Sequence, residues 1–132
     1  PVVFPNLRPI APLILLAEDN QANIDTFSDY LESRGYQMLL ANNGQTAVDI
    51  VKSQKPDLIL MDIQMPGMDG LEAMRQIRAI PEMSNIPIIA LTALAMPGDQ
   101  EQCLLAGASA YLSKPVKLKQ LAEAIQQLLN QS

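Results

Sequence analysis

At 132 residues the chain has the size of one domain, long enough to bury roughly two thirds of its unfolded surface in a single core. A net charge of −5 leaves no basic stripe to meet phosphates, so direct nucleic-acid binding is not expected. The absence of histidine removes Ser-His-Asp and Cys-His catalysis, His-ligated zinc and haem, and any phosphohistidine on this chain. Chemistry is left to carboxylates, hydroxyls and lysines. The apolar runs fall well short of the ~20 residues of a membrane span, so no membrane insertion is expected. The first residues lack the basic region and cleavage site of a signal peptide. A single cysteine, Cys103, excludes an internal disulfide and reads as part of a packed helix face. These features together predict a cytoplasmic chain.

Residues 1–12 hold four prolines and no period, and read as an extended lead-in or linker before one domain over 13–132. Leu13 to Ala17 is an unalternating apolar run, the pattern of a strand buried on both faces. After Glu18-Asp19-Asn20 comes a helix with Ile24, Phe27 and Leu31 on one face, ended by Gly35. The pattern then repeats. A second strand is expected from Tyr36 to Ala41, and a second helix from Gly44 to Ser53, closed by Lys55-Pro56. Asp57 to Met61 is the third strand, and Leu71, Met74 and Ile77 mark a third helix after the Pro66-Gly67 turn. Pro87 to Leu91 forms a fourth strand ending at Thr92; Pro97 to Ala106 is a fourth helix, closed by Gly107. Ser109 to Leu112 is the fifth strand, and Leu118, Leu121, Ala122, Ile125, Leu128 and Leu129 line the final amphipathic helix.

Five strand–helix alternations predict an α/β fold, a parallel sheet with helices on both faces. In such sheets function gathers beyond the carboxyl ends of the strands. At those ends stand Glu18-Asp19, Asp62, Thr92 and Lys114. Each has a plain structural explanation taken singly. Asp62 can end a strand and cap a turn, with its carboxylate exposed at the rim. Asp19 or Asn20 can cap the first helix with Glu18 solvated, Thr92 is an ordinary strand residue, and Lys114 an ordinary surface lysine.

Jointly they suit phosphoryl transfer to a carboxylate. Converging carboxylates repel by roughly 4 kcal/mol per close pair at an effective dielectric of 20, which a divalent cation relieves. Oxygen donors without His or Cys favour Mg²⁺. Asp62 would be the nucleophile, with Thr92 and Lys114 stabilising the phosphoryl oxygens and small Ala93 leaving room.

From about Leu13 to Leu129 the chain resembles the receiver domains of two-component response regulators, the CheY-like family. The resemblance rests on Leu16-Ala17-Glu18-Asp19-Asn20, Leu60 through Gly70, Ala90-Leu91-Thr92-Ala93, and Gly107-Ala108 through Tyr111-Leu112-Ser113-Lys114-Pro115. It implies a flavodoxin-like (βα)5 three-layer sandwich with strand order 2-1-3-4-5. It implies phosphoryl transfer from a partner histidine kinase or histidine phosphotransfer domain to Asp62. Mg²⁺ would be held by Glu18, Asp19, Asp62 and the backbone carbonyl of Gln64. Thr92 and Tyr111 would switch together, changing a face that an output partner reads, and the Lys114-Pro115 bond is typically cis. Gln64 and Leu94 occupy positions that tune how long the phosphate survives.

Some features depart from the common pattern. Glu18 stands where many members carry Asp, and its extra methylene allows a water-mediated metal contact. Gln120, Gln126 and Gln127 replace charged dimer contacts of DNA-binding members, so a monomer or weak dimer is expected. Glu18-Asp19-Asn20 followed by Asn23 is more similar to receivers of hybrid histidine kinases. Among rivals, a haloacid-dehalogenase-like phosphatase needs an acid/base Asp where Gln64 stands. A flavin mononucleotide site would be repelled by Glu18-Asp19, and no dinucleotide-binding glycine motif follows the first strand. A receiver-like interaction module that is never phosphorylated stands as the alternative. No enzymatic activity is expected beyond the chain's own phosphorylation and dephosphorylation.

Overall fold

Five short runs become strands: β1 (Leu13–Ala17), β2 (Gln37–Ala41), β3 (Leu58–Asp62), β4 (Ile88–Thr92) and β5 (Ala110–Ser113). They pair in parallel in the order β2-β1-β3-β4-β5, the order the family resemblance implied. The computed structural model describes residues 11–93 and 96–130. The lead-in as far as Ile10, and Leu94, lie outside the described residues. β3 and β4 are buried at every position, as expected for central strands covered on both faces. β2 stands at an edge and mixes buried, half-buried and exposed residues.

The strands alternate with α1 (Gln21–Ser33), α2 (Gly44–Gln54), α3 (Gly70–Arg78), α4 (Pro97–Ala106) and α5 (Leu118–Asn130). Three helices start on a side-chain cap: Asn20 accepts from the Asn23 amide at 3.0 Å, Asn43 from Thr46 at 2.8 Å, and Asp69 from Glu72 at 2.9 Å. α2 stops because Lys55 enters the left-handed region at φ 49° and Pro56 bars continuation. A 3-10 turn over Pro81–Met83, which periodicity does not signal, leads into β4.

Chain direction decides which face each helix covers. The step from β1 to β2 runs one way along the sheet, and every later step runs the other way. Right-handed crossovers therefore place α1 on one face and α2, α3 and α4 on the opposite face. Ile24, Phe27 and Leu31 of α1 pack with Leu121 and Ile125 of α5 against Ile14, Leu16, Leu58, Leu60, Ile89 and Leu91. The alternate strand residues Leu15, Ala17, Ile59, Met61, Ile88 and Ala90 meet α2, α3 and α4. Cys103 is buried there, on the packed helix face expected for it.

Arg78 locks the end of the sheet where β4 and β5 begin. Its Nε and Nη2 donate to the Gly107 carbonyl at 3.0 and 2.6 Å, and Nη1 donates to the Ile86 and Ser84 carbonyls at 2.6 and 3.1 Å. Gly107 caps α4 at φ +120°, and a Cβ there would stand 2.7 Å from Arg78 Cγ. Glycine is thus required both by the backbone and by the guanidinium seated on it.

Candidate functional site

The direction change between β1 and β3 opens a crevice at the carboxyl ends of those two strands. Glu18 follows β1 and Asp62 closes β3, so both stand at that switch point. Backbone bonds extend the sheet one step past each strand. The Glu18 amide donates to the Ala41 carbonyl at 2.9 Å, Ile63 to Leu91 at 3.0 Å, and Lys114 to Thr92 at 2.8 Å. Glu18, Asp62, Thr92 and Lys114 are therefore carried by sheet backbone, while Asp19 and Gln64 lie in the loops just beyond. Gly70 lets α3 begin directly behind Asp62: a Cβ there would lie 2.5 Å from the Asp62 carbonyl oxygen.

Glu18, Asp19 and Asp62 each offer a carboxylate oxygen within 4.8 Å of the others. Asp19 is exposed, but Glu18 is fully buried and Asp62 is 1% exposed. The expectation of an exposed carboxylate at position 62, and the reading of Glu18 as solvated, are both corrected. β3 is flanked on each side, and side chains from the neighbouring strand ends close over it. Lys114 Nζ lies 3.0 Å from Asp62 Oδ1 and 3.6 Å from Glu18 Oε1, and the Gln64 amide donates to Asp62 Oδ1 at 3.0 Å. The Lys114-Pro115 bond is cis.

Glu18 is held from several directions. Asn23 Nδ2 donates to its Oε1 at 3.2 Å, and the Asp19 and Asn20 amides approach its Oε2 at 3.1 and 3.4 Å. Asn20 is also the α1 cap, so the helix-cap explanation and the site explanation hold together. Burial, then hydrogen bonding to and repulsion by Asp62, push the Glu18 carboxyl up to about 7, while Lys114 pulls it down. Three carboxylates share this pocket with Lys114 as the cation in contact with Glu18 and Asp62, which leaves surplus negative charge. An all-oxygen donor set with surplus negative charge fits a hard divalent cation.

Thr92 ends β4 at 1% exposure, beside Asp62 on the neighbouring strand. Tyr111 is half-buried on β5 and its hydroxyl donates to Gln100 Oε1 on α4 at 2.7 Å. Glu18, Asp19, Asp62, Thr92 and Lys114 gather at one rim, whereas Tyr111 lies within β5, paired with Ala90 three residues before Lys114. Sequence reasoning did not anticipate Asn23 as a brace for Glu18, Gln100 as the Tyr111 partner, or the Gln64 side chain accepting from the Ala93 amide at 3.2 Å. The spacing of Asn23 from Glu18, one turn into the helix, was the available signal for the first.

Residues 14–126 match the family described as response regulator receiver domain. The chain is 40% identical over 116 residues to the polar-differentiation response regulator DivK of Brucella anthropi, covering 88% of this chain and 94% of DivK. Among solved structures it is similar to the receiver domain of a Pseudomonas aeruginosa sensor histidine kinase, at 42% identity and TM-score 0.85, covering 91% of this chain and 98% of that one. That structure has a magnesium ion coordinated in its active site cleft. A receiver domain of a signal transduction histidine kinase from Syntrophus aciditrophicus matches at 37% identity and TM-score 0.85, covering 91% of each chain. Among the described residues, no helix is long and apolar enough to cross a membrane. The family match over most of the chain, the strand order and the acidic crevice converge: the chain belongs to the response regulator receiver domains, the signalling modules of two-component systems.

Proposed function

We propose that Asp62 accepts a phosphoryl group from a phosphohistidine on a partner histidine kinase or histidine phosphotransfer domain. The observation that carries this reading is a buried Asp62 carboxylate with Lys114 Nζ at 3.0 Å and two further carboxylates within 4.8 Å. An Asp62 oxygen forms a bond to phosphorus as the phosphorus–nitrogen bond of the donor breaks. The electron pair returns to the donor imidazole, which takes up a proton. Lys114 meets the arriving phosphoryl oxygens as a point charge, and the Thr92 hydroxyl donates to another of them.

Glu18, Asp19, Asp62 and the Gln64 backbone carbonyl are the groups that would hold Mg²⁺. The ion, when bound, offsets negative charge shared by these carboxylates and the transferred group. The clustering of three carboxylates supports that assignment, as does the magnesium ion in the cleft of the Pseudomonas aeruginosa structure. Thr92 is drawn toward the phosphoryl group, and Tyr111 exchanges its Gln100 bond for an inward position. The surface of α4, β5 and α5 then changes for an output partner. The domain over 13–132 acts as a cytoplasmic module that catalyses only its own phosphorylation and dephosphorylation. Borohydride reduction of protein treated with acetyl phosphate and Mg²⁺, followed by peptide sequencing, tests the acceptor. Conversion to homoserine is expected at Asp62; conversion at another carboxylate overturns the assignment.

A further inference from the structure

Gln64 bridges the loops that follow β3 and β4. Its amide donates to Asp62 Oδ1 at 3.0 Å, while its side-chain Oε1 accepts from the Ala93 amide at 3.2 Å. Ala93 directly follows Thr92, and β4 is the neighbour of β3, with Asp62 in register with Leu91. The Ala93 N–H thus lies at the rim beside the acceptor, directed at an oxygen that hangs from the acceptor's own loop.

We propose that the Gln64 side chain is a self-ligand that occupies the Ala93 amide and must leave before a phosphoryl oxygen can take its place. The inference rests on the proposed acceptor role of Asp62. Ala93 is exposed, so in the unphosphorylated protein the Gln64 oxygen takes the place of a water on its amide. A charged phosphoryl oxygen makes the stronger bond, so displacement proceeds, but the gain is reduced by the neutral bond that is lost. Gln64 is therefore a positioning residue that holds the loop after β4 in its resting arrangement. Its side chain is exposed, which leaves room for it to swing out and allows its replacement without disturbing the core.

The test uses ¹⁵N-labelled protein with Mg²⁺, titrated with beryllium trifluoride as the phosphoryl mimic. Gln64→Met keeps length and neutrality but removes the acceptor oxygen; Gln64→Asn keeps the amide but shortens its reach. Both variants should bind the mimic roughly 5-fold more tightly than wild type, the factor expected for one ordinary hydrogen bond. The Ala93 amide resonance should differ between wild type and variants before the mimic is added, and coincide once it is bound. Equal or weaker binding by the variants, with wild type binding normally, overturns the self-ligand and leaves the acceptor reading intact. Failure of wild type and variants alike to bind the mimic overturns both.

Discussion

Metal-free protein should lose stability as the pH rises from about 5 to about 8, the reverse of the usual carboxylate behaviour. Glu18 is the cause. Its carboxyl is pushed from 4.5 to about 7 in the folded chain, so folding favours the protonated form. The associated stability is fully present below the unfolded value, declines as the pH climbs toward the folded value, and is gone above it. At 1.36 kcal/mol per pH unit, the decline across that window is roughly 2–3 kcal/mol. For a chain of 132 residues this lowers Tm by roughly 8–10 °C. No histidine titrates in the window, which makes the signal unusually clean. Thermal melts followed by circular dichroism in EDTA at the two pH values measure it, with Glu18→Gln as control. Excess Mg²⁺ should restore the high-pH loss, since binding to the ionised cluster at 100 times Kd contributes about 2.7 kcal/mol. A Tm in EDTA that is flat or rises with pH, or a Glu18→Gln variant that keeps the full decline, would show that Glu18 is not the group responsible.

Lys114→Met leaves Glu18 and Asp62 facing each other without their cation and should cost about 2 kcal/mol in EDTA, below the usual buried-pair value because the Lys114 side chain is 24% exposed. The same variant should push the Glu18 carboxyl higher, extending the decline in Tm to higher pH, because Lys114 is what pulls it down. Arg78→Met removes the donors held by the Gly107, Ile86 and Ser84 carbonyls and should cost about 3 kcal/mol in urea denaturation. Phosphorylation of the folded fraction should be unchanged in Arg78→Met, since this cluster sits at the opposite end of the sheet from Asp62.

Strand and helix positions were legible because the apolar runs are short, unalternating and punctuated. Leu13–Ala17 and Pro97–Ala106 fall where the sequence places them. β3 and β5 each end one residue later than expected, because pairing of Asp62 with Leu91 and of Ser113 with Thr92 prolongs the sheet into polar residues. The site was legible as a set of strand-end residues. Their burial was not, because it depends on how strand ends distant in sequence come together, with Lys114 reaching Asp62 from two strands away. Arg78 gave no signal, since its partners are backbone carbonyls, and a carbonyl carries no residue identity. Gln64 was noticed for its position, but the Ala93 bond spans two loops whose approach only the folded sheet determines.

Whether Asp62 is the phosphoacceptor is decided by intact-mass spectrometry after incubation with acetyl phosphate, on wild type with Mg²⁺, wild type with EDTA, and Asp62→Asn with Mg²⁺. A single phosphate adduct is expected in the first sample and none in the other two. An adduct that persists in Asp62→Asn, or a folded wild type that takes up no phosphate with Mg²⁺ present, would contradict that role for Asp62.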